Sequence, residues 1–315
     1  MRIVFFGTPD WACVFLRALH ADPDIEVAAV VTPPDSPVGR RQVLTPCPVK
    51  EEAERLGIEA FQPPTLRKSL AVVEKLKSYG ADAFVVISYG KILPQAVLEI
   101  PRLGCMNVHP SLLPTYRGAT PMPAAIAAGD METAITLMLL DAGMDTGPIL
   151  ASLPLPLASD ETLRSLEQKV TDAGPYFLLK TLKAYTAGEI RPIPQDDAKA
   201  TYTKLLSRED ARIDWNKSAE VVERRMRAFD PWPGSWTLWN RRGKPLRLKI
   251  LKAVVAPGTV KTLSGTASVG AGNELIVACG EGSLRILLLQ PEGKTPMDAA
   301  TFLRGYSDIN GETLG

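Results

Sequence analysis

Short, predominantly apolar runs, each followed by a helical pattern, are the feature that most restricts the fold of this chain. Residues 2–6, 26–32 and 83–88 are runs of strand length, and amphipathic stretches at 10–19 and 67–78 lie between them. Nearly continuous apolar runs are typical of parallel strands that are buried on both faces. Strands that alternate with helices build a doubly wound sheet through right-handed crossovers. The first part of the chain is therefore predicted to be an α/β domain with a doubly wound, mostly parallel sheet.

The pattern changes after a polar, proline-containing stretch at residues 189–203, which we interpret as a linker. Beyond it, alternating runs such as 246–255 and 284–289 are separated by glycine-rich turns and predict short strands. A chain of 315 residues also exceeds what one hydrophobic core usually holds. We therefore predict a catalytic α/β domain at 1–188 and a small β-barrel, similar to an OB-fold, at 204–315.

One stretch near the middle of the chain combines polar side chains with residues that end a strand. Asn107 and His109 alternate with apolar neighbours, so on a strand both side chains project from one face. Pro110 prevents the strand from continuing, and loops at strand ends are where α/β sheets carry their chemistry. A lone histidine is more often a hydrogen-bonded core residue. Here the next predicted strand leads into a glycine-rich turn with Asp145, whose carboxylate can orient and charge the imidazole.

Three segments together resemble the folate-dependent formyltransferases: Asn-Val-His-Pro-Ser-Leu-Leu-Pro at 107–114, Tyr-Arg-Gly at 116–118 and Asp-Ala-Gly-Met-Asp-Thr-Gly at 141–147. Over about residues 1–298 the chain is similar to the members that formylate methionyl initiator tRNA. The resemblance implies a Rossmann-like catalytic domain, 10-formyltetrahydrofolate as the formyl donor and a role in translation initiation. The segments specify the reaction better than the acceptor, so transfer to an amino-sugar nucleotide is the alternative.

The reaction that the resemblance implies gives each of three polar residues a role. Formyl transfer to an amine passes through a tetrahedral intermediate with an oxyanion, and the amine must lose a proton. Asn107 offers N–H donors for the oxyanion. His109, if protonated beside Asp145, adds a charged donor, and Asp145 or a water that it holds can accept the amine proton. These three are predicted to be catalytic, and their presence disfavours an RNA-binding protein that has lost its activity.

Two further sets of residues follow from the resemblance. Ten residues in three segments are expected to form the folate site: Tyr89, Gly90, Ile92, Leu93, Ser111, Leu112, Leu113, Pro114, Asp141 and Gly143. A polar loop without periodicity at 33–42 is expected to reach the acceptor end of the tRNA through Arg40 and Arg41. From the residues alone, paired arginines at a loop tip favour a solvated face.

Charge is informative only locally in this chain. The formal net charge is +1, so no global field favours nucleic acid. Residues 204–252 carry 13 Lys and Arg against 6 Asp and Glu, an excess of seven positive charges. Such an excess suits a phosphate backbone, and a solvated face is an equal alternative. Trp232, Trp236 and Trp239 in the same region are more typical of barrel core or edge than of base stacking.

The cysteines and the N-terminus indicate the compartment. The chain has four cysteines far apart and two histidines, so we expect reduced thiols and no metal site. Cys105 lies near Asn107, but we expect a small buried side chain rather than a nucleophile. A strand-like run at 2–6 stands where a secretion leader would have a charged and then apolar segment. We therefore expect a cytoplasmic protein that contacts no membrane. Separately, we expect a monomer.

Overall fold

A computed structural model describes residues 1–39, 42–67, 69–257 and 262–315 of the chain, which forms two compact units. Unit 1 comprises Met1–Pro121, Glu132–Pro156 and Glu167–Lys204, and unit 2 comprises Met122–Met131, Leu157–Leu166 and Leu205–Gly315. Unit 2 therefore includes two short segments that precede the predicted linker. The division into 1–188, 189–203 and 204–315 stays a prediction.

The elements of unit 1 alternate in the way that the apolar runs predict. Its strands within the described residues are β1 Arg2–Gly7, β2 Glu26–Val31, β3 Ser36–Val38, β4 Val43–Thr45, β5 Ala60–Phe61, β6 Ala83–Ile87, β7 Cys105–His109, β8 Arg117–Gly118, β9 Glu132–Leu139, β10 Ile149–Pro156 and β11 Tyr202–Thr203. The α-helices of the described chain are α1 Asp10–Ala21, α2 Pro48–Arg55, α3 Leu70–Ser78, α4 Gln95–Leu98, α5 Pro121–Ala128, α6 Leu163–Thr186, α7 Ala219–Ala228 and α8 Ala299–Gly305. In those described stretches no helix combines the length and the apolar character that crossing a membrane requires.

Seven strands of unit 1 form one sheet, in the order β10-β9-β7-β6-β1-β2-β5. Strands β5, β2, β1, β6 and β7 run parallel, whereas β9 and β10 are antiparallel to their neighbours. The prediction of a mostly parallel, doubly wound sheet is confirmed. Strand β6 is buried at every position, as its unbroken apolar sequence requires. On one side of the sheet Val4, Phe6 and Phe84 pack against residues of α3 and α4, including Leu76 and Val97.

The predicted loop at 33–42 contains regular structure that the sequence analysis did not predict. Ser36–Val38 pairs with β4 as an antiparallel hairpin, so the prediction of an aperiodic loop was wrong for these residues. The base of the hairpin is held at Asp35, whose carboxylate accepts from Nζ of Lys50 (2.8 Å) and Nε2 of Gln62 (2.8 Å). Arg40 and Arg41, the two predicted tRNA-binding residues, lie outside the described residues.

Unit 2 is built on an antiparallel sheet. Its strands within the described residues are β12 Trp236–Arg241, β13 Lys244–Val255, β14 Ala267–Val269, β15 Leu275–Ala278, β16 Ser283–Pro291 and β17 Met297–Asp298. They follow the order β12-β13-β16-β15-β14, with β17 on β16. One face is apolar and packs against α7 and α8, so that Trp239, Leu248 and Phe302 are fully buried.

The last residues of the chain bridge the two edges of this sheet. Gly315 exchanges two backbone hydrogen bonds with Leu238 of β12 (2.9 and 3.0 Å). Three residues earlier, the carbonyl oxygen of Glu312 accepts from the backbone N–H of Ala267 in β14 (2.8 Å). The tail thereby satisfies edge groups that would otherwise be exposed. This closure gives the curled, barrel-like second domain that was predicted.

Candidate active site

Strand β7 brings the first two predicted catalytic residues to one face of the sheet. It lies between β6 and β9, with Asn107 opposite Val86 on one side and Met138 on the other. Asn107 is half-buried and His109 is 4% exposed. Because alternate side chains of a strand share a face, the two polar groups project to the same side, as predicted.

Asp145 reaches this face by a route that the sequence analysis did not foresee. Strand β9 is antiparallel to β7, and its last residue, Leu139, lies opposite the second residue of β7. Strand β9 therefore ends beside the start of β7, and residues 140–147 must turn back towards His109. The turn is so tight that a Cβ on Gly147 would come within 1.9 Å of the carbonyl oxygen of Leu139. Only glycine fits there.

The side chain of Asp141 holds this turn together. Its Oδ1 accepts from the backbone N–H of Gly143 (3.0 Å) and from Oγ1 of Thr146 (2.6 Å). A Cβ on Gly143 would lie 2.0 Å from that Thr146 hydroxyl oxygen, so this position too requires glycine. Oδ1 of Asp141 and the backbone N–H of Gly143 are thus paired with each other inside the turn.

His109 and Asp145 face each other without a direct hydrogen bond. Nδ1 of His109 lies 3.7 Å from Oδ2 of Asp145. Nε2 of the ring lies 3.0 Å from the carbonyl oxygen of Tyr116, which can only accept, so Nε2 carries the hydrogen. Oδ2 of Asp145 in turn accepts from the backbone N–H of Gly118 (2.7 Å). In its neutral form the ring therefore presents a bare Nδ1 to the carboxylate.

Burial decides the charge of His109. Removal of the ring from water lowers the pKa of His109 below the ordinary histidine value of 6.5, and the Asp145 carboxylate and the Tyr116 carbonyl oppose that shift. Burial therefore favours the neutral imidazole in the free chain, although the Asp145 carboxylate lies only 3.7 Å away. The charged-donor role depends on protonation of His109 and stays a prediction.

Three non-glycine residues around the site have positive φ angles: Ser88 (47°), Tyr116 (58°) and Asp145 (54°). Ser88 directly follows β6, and the other two lie in the turns that contact His109. A side chain in this region of φ costs about 1–2 kcal/mol and persists where surrounding contacts determine it. Such residues concentrate at functional sites, which supports the assignment of this sheet edge as the site.

Asn107 and Cys105 differ in their capacity to react. Within the residues that the structure describes, the side-chain amide of Asn107 has no hydrogen-bond partner in the chain, so its N–H groups can meet a ligand. Cys105 is fully buried, and burial raises the pKa of its thiol to about 12. A thiol that stays protonated is not a nucleophile, as predicted for this cysteine.

The first predicted folate segment is partly core and partly surface. Tyr89 and Leu93 are buried in the apolar cluster on one side of the sheet, and Leu140, just before the Asp145 turn, packs against the same cluster. Gly90 is exposed, and Ile92 is 63% exposed. The structure thus brings the 89–93 segment and the start of the 140–147 turn together.

The second predicted folate segment is fixed by its own hydrogen bonds. The hydroxyl of Ser111 donates to the carbonyl oxygen of Thr115 (2.7 Å), and the Ser111 carbonyl oxygen accepts from Oγ1 of Thr136 in β9 (2.6 Å). Ser111 is fully buried, Leu113 is 5% exposed and Pro114 is intermediate, whereas Leu112 is 40% exposed. Side-chain contact with a ligand therefore falls to Leu112, and Ser111 shapes the loop.

Two residues without a predicted role also join the site. Arg117 is completely buried, and its guanidinium donates to Oε1 of Gln195, which lies against the Asp145 turn. Arg117 belongs to the segment that carried the family resemblance, so a role was detectable in principle. Gln195 lies in the predicted linker, and no local pattern distinguishes it from neighbouring polar residues.

A cavity of about 280 Å³ occurs elsewhere, in unit 2. It is lined by Ile126, Met131, Glu161 and residues of α7 that include Arg224, and by none of the predicted site residues. Across the described ranges of the chain, no three His, Cys, Asp or Glu side chains are grouped so that they could hold a metal ion.

Comparison with known proteins extends these observations to the whole chain. Residues 1–182 match the family model described as Formyl transferase, and residues 205–307 match the one described as Formyl transferase, C-terminal domain. The chain is 46% identical over 322 residues to the methionyl-tRNA formyltransferase of Roseiflexus sp. (strain RS-1), covering 100% of this chain and 95% of the relative. It is 44% identical over 306 residues to that of Halalkalibacterium halodurans, covering 97% and 95%.

Solved structures share the fold at low sequence identity. The crystal structure of WlaRD, a sugar 3N-formyl transferase, in the presence of dTDP and 5-N-formyl-THF has a TM-score of 0.64 and 18% identity. The similarity covers 94% of this chain and 99% of that one. Both units of this chain therefore have a counterpart in fold.

Proposed function

The chain belongs to the formyl transferase family, and from this we propose that it transfers the formyl group of 10-formyltetrahydrofolate to the free amino group of methionyl initiator tRNA, for translation initiation. The observation that carries the proposal is the arrangement at the end of β7. The amide of Asn107 is without a partner in the described chain and lies on the face that holds the buried His109–Asp145 pair. Formyl transfer to an amine needs both a hydrogen-bond donor and a proton acceptor.

Three residues are assigned to the reaction. Asn107 donates to the formyl oxygen, where negative charge develops as the amine attacks. His109 in its neutral form holds the Tyr116 carbonyl through Nε2 and can take up a proton at Nδ1, where the Asp145 carboxylate stabilises the resulting charge. Asp145 thus draws the amine proton towards the pair, directly or through a water. Each role is typically worth about 10²-fold or more in rate.

The surroundings of this pair suit a folate. Ile92 and Leu112 follow the adjacent strands β6 and β7 and remain substantially exposed, so both offer apolar surface to a flat ring. The backbone carbonyl groups of Asp141 and Gly143 are proposed to supply polar contacts, since the Gly143 N–H is already donated to Asp141. WlaRD was crystallised with 5-N-formyl-THF, which supports a folate as donor within this fold. A bound formyl-folate supplies the activated one-carbon group, and these chain residues orient it and exclude water.

Unit 2 supports a tRNA as the acceptor. Two arginines approach the ring of Trp236: the guanidinium carbon of Arg247 is 3.8 Å from the ring centroid and that of Arg212 is 5.7 Å away. Lys249 of β13 pairs directly with Trp236 and is exposed. This cluster belongs to the stretch with seven excess positive charges, and its charges suit the phosphates of a tRNA.

Several arginines of the basic stretch at 204–252 are already paired with carboxylates of the chain. Arg241 and Arg242 both pair with Asp308, and Arg227 pairs with Glu223. We therefore assign the tRNA contact to the Trp236 cluster and, as the family resemblance implies, to Arg40 and Arg41. An amino-sugar nucleotide as acceptor loses support, because relatives that are 44–46% identical over nearly the whole chain are methionyl-tRNA formyltransferases.

The proposal includes the compartment and assembly. A bacterial-type translation reaction places the protein in the cytoplasm, without membrane contact, and we propose that it acts as a monomer. Size-exclusion chromatography with light scattering measures the assembly directly, and a mass twice that of the 34.1 kDa chain would contradict it.

An acceptor comparison tests the function. Purified protein and 10-formyltetrahydrofolate are offered methionyl initiator tRNA, methionyl elongator tRNA and an amino-sugar nucleotide, and the N-formyl products are separated. We expect kcat/KM for the initiator tRNA to exceed that for each competitor by about 10²-fold or more, which corresponds to about 2.7 kcal/mol. A preference for the sugar nucleotide would refute the proposed acceptor while leaving the formyltransferase chemistry in place.

A further inference from the structure

The backbone of the catalytic turn is held by a side chain that is distant in sequence. Asp145 has a φ of 54°, which its neighbours must maintain. Nε2 of Gln195 donates to two carbonyl oxygens of this turn, those of Asp145 (2.8 Å) and Gly147 (2.7 Å). Both amide hydrogens of Gln195 are thus donated to the backbone of the turn that determines where the Asp145 carboxylate points.

The amide of Gln195 is itself fixed in orientation. Its Oε1 accepts from Nε (3.1 Å) and Nη2 (3.0 Å) of Arg117, which is completely buried. A guanidinium only donates and a carbonyl only accepts, so the amide cannot be reversed without losing all four hydrogen bonds. Arg117 is anchored further by Asp197 (2.7 Å) and by the hydroxyl of Tyr202 (3.1 Å).

The same segment also holds the groups around His109 and the Asp145 carboxylate. Oγ1 of Thr201 accepts from the backbone N–H of Tyr116 (2.8 Å), the residue whose carbonyl oxygen accepts a hydrogen bond from Nε2 of His109. Strand β11 pairs with β8, and a Cβ on Gly118 would come within 2.3 Å of the Thr203 carbonyl oxygen. Gly118 is the residue whose N–H donates to Oδ2 of Asp145.

We propose that residues 195–203 are a positioning element of the active site, in which Gln195 fixes the Asp145 turn through its two amide hydrogens. The inference rests on the proposed function, because it assigns Gln195 a role in the reaction of Asp145. Gln195 is a positioning residue: it touches the backbone of the catalytic turn and none of the reacting atoms. Misplacement of a catalytic group by about 1 Å can cost about 10²-fold in rate, so two hydrogen bonds to this turn are sufficient for a large effect.

Two substitutions separate positioning from simple anchoring of Arg117. Gln195→Glu retains an oxygen for Arg117 but replaces the two N–H donors with an acceptor that faces two carbonyl oxygens. Gln195→Met removes the donors and the acceptor at similar length. Gln168→Met is the matched control, since the Gln168 amide is exposed and donates to Asp172 on α6.

Turnover provides the first measurement. We expect kcat to fall about tenfold or more in both Gln195 variants, with KM for the folate within about threefold of wild type and the Gln168 control unchanged. Full activity in Gln195→Glu would overturn the proposal, because the donors would then be dispensable. A rise in folate KM without a fall in kcat would also overturn it, since Gln195 would then support folate binding only.

The imidazole signal of His109 gives a second measurement that does not depend on the acceptor. The chain has two histidines, and a His20→Asn variant assigns the signals. The Asp145 carboxylate favours the protonated form of His109. If Gln195 holds that carboxylate opposite Nδ1, substitution of Gln195 moves the midpoint of the His109 titration to lower pH. An unchanged titration in both Gln195 variants would overturn the proposal. If the wild type formylated a different acceptor, the proposed function would fail, and this measurement would still decide the role of Gln195.

Discussion

The active edge of unit 1 and the curled sheet of unit 2 are stabilised in different ways. At the active edge the buried side chains include His109, Ser111, Arg117 and Thr136, each hydrogen-bonded to a defined partner. The centre of unit 2 is aromatic instead, with the Phe302 ring stacked on Tyr306 at 4.6 Å. Hydrogen bonds are directional, whereas apolar burial is not.

Because of this difference, substitutions at the active edge and in unit 2 should affect different properties of the protein. Directional bonds at the active edge fix positions to within tenths of an ångström, so losing one changes the reaction more than the stability. Apolar contacts in unit 2 supply free energy of folding without specifying a reacting geometry. Substitutions in the two regions should therefore act on different measurements, and each prediction below tests that separation.

The largest effect is expected in the core of unit 2. Phe302 is fully buried, so Phe302→Ala should lower the free energy of unfolding by about 3–5 kcal/mol through lost burial and a cavity. Four of the five tryptophans lie in unit 2, so urea unfolding followed by tryptophan fluorescence reports on this unit. Leu263→Ala is the control, since Leu263 is 80% exposed and should change stability by less than about 0.5 kcal/mol. A tenfold loss of kcat in folded Phe302→Ala protein would contradict the claim that the apolar core of unit 2 supplies stability without specifying the reacting geometry.

The next effect belongs to the active edge. Asp145→Asn keeps an oxygen for the Gly118 N–H but removes the charge that faces Nδ1 of His109. We expect kcat at saturating folate to fall about 10²-fold or more, equivalent to about 2.7 kcal/mol in the barrier. The melting temperature should stay within about 2 °C of wild type, because no packed atom is removed. Turnover within about threefold of wild type would show that the carboxylate has no catalytic role.

The closing contact of unit 2 offers a matched pair of glycines. Gly265 has a φ of 83°, and a Cβ there would lie 2.4 Å from the carbonyl oxygen of Leu314 in the terminal tail. Gly272 has a similar φ of 72° but nothing within 4 Å. Gly272→Ala should cost about 1 kcal/mol from the backbone alone, and Gly265→Ala about 2–4 kcal/mol, because it also displaces the tail. Equal losses in urea unfolding would show that the tail does not stabilise the sheet.

The same contrast explains what the sequence could predict. Strands β1, β2 and β6 of unit 1 and the alternation that puts Asn107 and His109 on one face follow from local patterns of burial and period, and the sequence predicted them. The Ser36–Val38 strand was missed because three residues that include Pro37 carry no strand signal, and their pairing with β4 depends on a distant partner. Gln195 lies 50 residues from Asp145, and no local pattern encodes a single long-range hydrogen bond.

The orientation of β9 shows a second kind of limit. Asp145 was predicted to face His109, and the residue types in the turn supported it. The sequence did not indicate that β9 is antiparallel to β7, because a buried strand has the same apolar pattern in either direction. Glycines at 143 and 147 were evident as turn residues, but the need for a turn that folds back on Leu139 became visible only with the sheet order.

The smallest effect is a shift in a titration, and it tests the electrostatics of the active edge directly. Burial lowers the pKa of His109 below 6.5, so its NMR titration midpoint should lie below that value. Asp145 opposes this shift, and Asp145→Asn should therefore move the midpoint to still lower pH. Between the lowered pKa and 6.5 the unfolded chain binds the proton and the folded chain does not, so the stability of the protein falls as pH decreases through this window. A midpoint above 6.5 in wild type would mean that Asp145 outweighs burial, and His109 would then carry its charge before the amine arrives.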